Sequence, residues 1–319
     1  MCTSCGCQGQ GTTMTNLQTG ARAEIAARAE NRHDHGHSHG GDEGHGHGHF
    51  HGERHHAHDE HQHGRHHHGR EHGHTHGHDH SHGHDHGDHD HAHEDSRRRL
   101  ELETRILAKN DAIAAKCRAW LAGREIVALN LVSSPGAGKT MLLERAIADL
   151  AGELPLFVIE GDQATSNDGE RIRAAGAPVV QVNTGTGCHL DAEMIARGLS
   201  ELKPSVGSLV FIENIGNLVC PALFDLGERA KAVIFSTTEG EDKPLKYPHM
   251  FSAAKLVIFN KIDLLPHLDF SMKQARENAL RVNPDVEIVE VSAKTGAGMQ
   301  TLYDWIRAQR MAARQLAVI

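Results

Sequence analysis

The sequence predicts an α/β fold, a mostly parallel and doubly wound sheet, preceded by a disordered His-rich tract. Three observations carry this. Short, near-continuous apolar runs recur through residues 126–291, with helical patterns between several of them. That is how parallel strands covered by helices on both faces read. The first run leads into the glycine-rich stretch Ser133-Ser134-Pro135-Gly136-Ala137-Gly138-Lys139-Thr140 and then a helical pattern, the order a phosphate-binding loop needs. Finally, the composition is divided: of 30 histidines, 27 lie between His33 and His93.

The charge follows the same division. Residues 32–95 hold 13 acidic residues and 4 arginines, which accounts for the whole formal charge of −9 and leaves the remainder balanced. A remainder with no basic excess argues against nucleic acid as a partner. Phe50 is the only large apolar residue of the tract, so without metal it is expected to stay disordered. The expected organisation is a cysteine-bearing segment at 1–31, the His-rich metal-binding tract at 32–95 and a nucleotide-binding domain at 96–319. The last is long enough for one sizeable core. No apolar run approaches the roughly 20 residues of a membrane span. Met1–Gln10 lacks the apolar stretch of a signal peptide, so a cytoplasmic chain with no membrane insertion is expected. Thiols stay reduced there, and clustered cysteines then suggest metal rather than disulfides.

Taken in order, Leu17–Glu30 reads as a short, Ala-rich helix. From Ser96 onward Leu102, Ile106, Ile113, Cys117 and Trp120 mark one face of a helix, and Gly123 suits its end. Strand-like runs follow at Ile126–Val132, Pro155–Glu160, Pro178–Val182, Ser208–Glu213, Ala232–Ser236, Lys255–Asn260 and Val286–Val291. Helical patterns lie at Met141–Leu150, Glu170–Ala175, Leu190–Leu202, Ser271–Val282 and Met299–Arg310. Ligands of such sheets bind at the C-terminal ends of the strands, and the motifs sit there.

In the loop after the first run, backbone N–H groups and the start of a helix would cradle phosphates. Pro135, Gly136, Ala137 and Gly138 would form its wall. Lys139 would reach the β- and γ-phosphates, and the Thr140 hydroxyl would sit on Mg²⁺. Ser133 stands where the GxxxxGK[ST] pattern has its first glycine.

Asn260-Lys261-Ile262-Asp263 closes another strand as NKxD. Asp263 would accept from N1–H and the 2-amino group of guanine, Asn260 would bond the far edge of the base, and the Lys261 stem would lie over its face. Adenine lacks both donors, so a site built this way discriminates strongly. Ser292-Ala293-Lys294 follows the next strand. It resembles the SAK loop of GTPases, in which the alanine N–H meets guanine O6. The nucleotide expected is GTP.

Asp162 and Glu213 end two strand regions, and Glu213-Asn214-Ile215-Gly216 stands where a GTPase has its DxxG switch. Both carboxylates could hold Mg²⁺ directly or through water. Gly216 would meet the γ-phosphate, and Asp168 is a weaker candidate for orienting the attacking water. Lys139, Asp162 and Glu213 are therefore the candidate catalytic residues. With no glutamine in the switch and no evident arginine finger, the lone chain is expected to hydrolyse slowly.

Three sets of residues suggest metal. Cys2, Cys5 and Cys7 lie on a Gly-rich terminus, where three thiolates could wrap square-planar Ni(II) with a nitrogen donor, or tetrahedral Zn²⁺. The His-x-His steps of the tract, flanked by acids, suit Ni, Cu, Zn or Co without choosing among them. Cys188-His189 follows a strand, and Cys220 comes four residues after Gly216. Strand ends could bring these three together, whereas a lone buried cysteine is more often a small apolar filler.

Together these motifs resemble the hydrogenase nickel-incorporation GTPases, the HypB family. The resemblance rests on Cys2-Thr3-Ser4-Cys5-Gly6-Cys7, Asn110-Asp111, Ser133–Thr140, Glu160-Gly161-Asp162, Gly185–Leu190, Glu213–Pro221, Glu239–Pro248 and Asn260–Asp263. The His-rich insertion is like that of the nickel-storing members. The resemblance implies a P-loop GTPase that stores nickel and delivers it for [NiFe] hydrogenase maturation. It implies a HypA-type zinc accessory protein and the hydrogenase large-subunit precursor as partners, and a GTP-dependent homodimer. It further implies a tight nickel site at Cys2, Cys5 and Cys7 and a nickel or zinc site at Cys188, His189 and Cys220. Met141 stands where many relatives have a second threonine. A storage and buffering protein, or a urease-type nickel GTPase, are the alternative readings. The Cys2-x-x-Cys5-x-Cys7 start speaks against the urease type.

Overall fold

The computed structural model describes residues 12–25, 89–163 and 167–317. The Cys2, Cys5 and Cys7 cluster and most of the His tract lie outside these residues. In chain order, strands β1 (Thr13–Asn16) and β2 (Arg22–Glu24) precede helix α1 (His89–Ala122). Then come β3 (Val127–Ser133), α2 (Lys139–Leu150), β4 (Leu156–Asp162), α3 (Asn167–Ala174), β5 (Val179–Asn183), α4 (Ala192–Leu202), β6 (Leu209–Glu213) and the short α5 (Cys220–Leu223). Strand β7 (Ala230–Ser236), α6 (Lys243–Lys246), α7 (Pro248–Ala253), β8 (Leu256–Asn260), a 3-10 turn (Ile262–His267), α8 (Met272–Val282), β9 (Glu287–Glu290) and α9 (Met299–Ala317) complete the series.

All nine strands form one sheet in the order β2-β1-β5-β4-β6-β3-β7-β8-β9. From β5 to β9 every pairing is parallel. The doubly wound parallel sheet expected from the apolar runs is therefore present, each run falling on a strand within a residue or two. Strands β3, β6 and β7 are buried at every position, as strands covered on both faces should be. One apolar cluster packs α2 and α9 on the sheet, and others pack α4 and α7–α8.

Two local expectations fail. In the stretch read as a helix at Leu17–Glu30, the described residues 17–25 are instead the turn and second strand of a hairpin, whose β1 pairs antiparallel to β5 at the sheet edge, and residues 26–30 lie outside the described residues. Asn16 closes that turn by accepting from the N–H groups of Gln18 and Thr19 at 3.0 and 3.2 Å. An isolated helix of this length is marginal in water, whereas the hairpin adds to a sheet edge that packing already holds. Second, α1 starts before Ser96, and its buried face is Asn110, Ala114, Cys117 and Leu121. Leu102, Ile106 and Trp120 are exposed. A buried asparagine took a core position that a purely apolar pattern could not reveal.

Candidate functional site

The glycine-rich loop joins β3 to α2 in the middle of the sheet. Gly136 and Gly138 have φ of 75° and 94°, which glycine adopts without strain. A Cβ on Gly138 would also lie 2.7 Å from Asn260 Nδ2. The loop, β4, β6, β8 and the turn after β9 surround a cavity of about 690 Å³. It is lined by Pro135, Gly136, Gly138, Lys139, Thr140, Asp162, Glu213, Gly216, Asn260, Lys261, Asp263, Ala293 and Lys294, all expected from the sequence. Two expected residues sit behind this lining. Ala137 is 1% exposed and offers its carbonyl to Asn260 Nδ2 at 2.9 Å, and buried Ser292 donates to Asp263 Oδ1 at 2.6 Å.

The residues expected to read a base are held by one another. Asn260 accepts at Oδ1 from the Ala293 N–H, 3.2 Å away, so its amide links the phosphate loop to the turn after β9. Both Asn260 and the Ala293 N–H, expected on the base, are occupied with each other here. Lys261 Nζ donates to the Gly136 carbonyl at 2.7 Å, which lays its stem along the cavity wall. Ser292 orients the Asp263 carboxylate, whose other oxygen remains for a donor pair.

On the phosphate side, Lys139 Nζ donates to Ser133 Oγ at 3.1 Å, so Ser133 serves as a polar rest for the lysine. Thr140 donates to Glu213 Oε1 at 2.8 Å, while Glu213 Oε2 is buried with no hydrogen-bond partner. Burial pushes the Glu213 carboxyl up to about 7 despite nearby Lys139. Glu160, its direct neighbour across the β4–β6 pairing, is also buried with an unpartnered Oε2. Burial, then the charges of Glu213 and Asp162, push it up to about 9. Thr140, Asp162 and Glu213 all line the cavity, and the unpartnered Glu213 oxygen is the kind of donor a hard divalent cation takes. The sequence quoted Glu160 only as part of a motif, because its role depends on facing Glu213 across the sheet.

Arg171 and Gln163 also line the cavity and were not expected. Arg171 is already paired with Glu144 and Asp168, at 2.7 and 3.1 Å. Gln163 donates to the Gly187 carbonyl at 3.2 Å, linking the end of β4 to the loop after β5.

That loop carries the second feature. The ligand atoms of Cys188, His189 and Cys220 all lie within 4.8 Å of one another. The two sulfurs are 3.0 Å apart, and Cys188 Sγ is 3.7 Å from His189 Nδ1. His189 is buried, with its ring centroid 3.9 Å from that of Phe224. Burial lowers its pKa to about 4, so the imidazole is neutral at ordinary pH. Neutral imidazole and sulfur are donors that suit a soft or borderline metal ion. No other such group occurs among the described residues.

The family described as CobW/HypB/UreG, nucleotide-binding domain, matches residues 127–290. A hydrogenase maturation factor HypB from Rhizobium leguminosarum bv. viciae is 58% identical over 207 residues, 65% of this chain and 69% of the relative. The crystal structure of hydrogenase maturation factor HypB from Archaeoglobus fulgidus has a TM-score of 0.60 at 36% identity, covering 64% of this chain and 99% of that one. A HypB from Helicobacter pylori, solved in complex with nickel, gives 0.60 at 35%, covering 64% and 96%. No helix among the described residues is long and apolar enough to cross a membrane. On these matches the chain belongs to the HypB family of hydrogenase maturation factors, within the CobW/HypB/UreG nucleotide-binding group.

Proposed function

We propose that the protein is a GTP-hydrolysing nickel metallochaperone acting in the cytoplasm. It stores nickel and delivers it for maturation of [NiFe] hydrogenase. The observation that carries this is the continuity of one short segment: Glu213 and Gly216 face the nucleotide cavity, and Cys220 belongs to the metal cluster. GTP is the nucleotide because the Asp263 carboxylate, oriented by Ser292, matches the two donors of guanine. Thr140, Glu213 and Asp162 would hold Mg²⁺, which would neutralise phosphate charge and template the displacement. Lys139 would stabilise charge on the β- and γ-phosphates, and the Gly216 N–H would meet the γ-phosphate. Slow hydrolysis by the lone chain is expected, because the 213–216 switch carries no glutamine and no arginine finger is evident.

Nickel is the cargo, and zinc competes for the same donors. Loss of the γ-phosphate would release the Glu213–Cys220 segment, as in other phosphate-sensing switches. Displacing Cys220 would weaken the cluster and free the ion. Cys2, Cys5 and Cys7 form a further nickel site, and the tract at 32–95 is the store that feeds the 96–319 domain. A HypA-type zinc accessory protein and the hydrogenase large-subunit precursor are the partners, and GTP favours a homodimer. The test is the nickel affinity of the cluster, in a chain whose N-terminal cysteines are replaced by serine and whose tract at 33–95 is deleted, with GDP and with a non-hydrolysable GTP analogue. Weaker binding with GDP is expected, and equal affinities refute the gating.

A further inference from the structure

Segment 213–220 is tied to the Cys188–Leu190 loop at two points besides the thiols. The first is Asn214, 1% exposed and bonded through both polar atoms of its side chain. Its Oδ1 accepts from the N–H groups of Leu190 and Ile215, at 3.2 and 3.0 Å, and its Nδ2 donates to Asn130 Oδ1 at 3.3 Å. Asn130 lies on β3 and donates in turn to buried Glu228 at 3.1 Å. A side chain with three partners in the core is a fixed point. The second is Asn217, half-buried and beyond Gly216. Its Oδ1 accepts from the Val219 N–H at 2.8 Å, shaping the turn into Cys220, and its Nδ2 donates to the Cys188 carbonyl at 3.3 Å. Between the two points, Gly216 backs onto the phosphate loop, where a Cβ would lie 3.1 Å from Pro135 Cα.

We propose that Asn217 is a positioning residue that hangs both thiols from the segment facing the γ-phosphate, so that Cys188 as well as Cys220 follows the nucleotide. This rests on the gating reading above. Asn214 is the pivot. A shift at Gly216 leaves Asn214 and Leu190 in place and moves Asn217. Through its two bonds Asn217 moves the Val219–Cys220 turn and the Cys188 main chain together. Without the bond to Cys188 only one of the two thiols would respond.

The two bonds are separable by substitution. Asn217→Asp keeps the acceptor for Val219 but has no donor for the Cys188 carbonyl, and Asn217→Ala removes both. The readout is amide hydrogen exchange of the intact chain with GDP and with a non-hydrolysable GTP analogue. In the wild type, exchange in 187–190 should differ about fivefold between the two states, the effect of one modest hydrogen bond. In both variants that difference should fall below about twofold, while peptides covering 213–216 still respond. Thermal melts confirm folding of each variant. A wild-type loop that ignores the nucleotide, or an Asn217→Asp loop that responds as the wild type does, overturns the proposal. If the loop responds through Asn217 but nickel affinity is the same in both states, the link stands and the gating function falls.

Discussion

Replacing Glu160 by glutamine should stabilise the metal-free and nucleotide-free chain, and the gain should grow with pH. Glu160 is 2% exposed, one of its oxygens has no partner, and burial followed by the charges of Glu213 and Asp162 raises its pKa from 4.5 to about 9. A raised folded-state pKa means that folding takes up a proton. The carboxyl's contribution is therefore fully present below pH 4.5 and is lost as pH rises toward 9. At about 1.4 kcal/mol per pH unit, the loss reaches about 4 kcal/mol by pH 7.5. Glutamine has the same size and no charge to suppress. Glu160→Gln should then match the wild type near pH 4.5 and exceed it by about 2–4 kcal/mol at pH 7.5. The assay is urea unfolding across that range in a chelator. Glu213, raised to about 7, keeps a slope of its own in both proteins and cancels in the difference. Adding Mg²⁺ and a GTP analogue should shrink the gain, because a nearby dication favours the ionised carboxylate. An unchanged pH slope, or a less stable variant at pH 7.5, refutes the reasoning.

Asp263→Asn should cost GTP affinity about 100-fold or more and let xanthine nucleotides gain, because the donors of guanine lose their acceptor. Competition binding checks this, and unchanged GTP affinity would refute the reading of the base site. His189→Phe should remove an acid-sensitive element. The pKa of His189 is lowered by burial to about 4, so its neutral form carries stability that is present above pH 6.5 and lost as pH falls toward 4. That loss is roughly 3 kcal/mol. Phenylalanine can keep the contact with Phe224 without titrating. Urea unfolding at the two ends of this range should show a smaller acid loss in the variant, and equal losses would contradict the burial of a neutral imidazole.

Much of the molecule was determined by the sequence alone. The apolar runs announced a parallel sheet because strands covered on both faces must be apolar along their whole length. The strand–loop–helix order around Lys139 and Thr140 and the NKxD and SAK spacings are local, and local spacing survives into the fold. The cysteine pattern at 2, 5 and 7 and the histidine tract are likewise compositional. What the tertiary structure decided was everything that depends on neighbours distant in the chain. The chain turns after Asn16 and lays β2 against β1 because β1 is itself held on the open edge of β5. The buried face of α1 turns on Asn110, which donates to the Asp225 carbonyl and accepts from the Ala192 N–H, an exchange no periodicity announces. Cys188, His189 and Cys220 were suggestive by spacing, but only the parallel β5–β4–β6 order sets their loops side by side. Glu160 became significant only across from Glu213, and Asn217 only beside Cys188. Side chains that act on one another through the fold carry their meaning in the packing, where charge, burial and reach are set by residues tens of positions away.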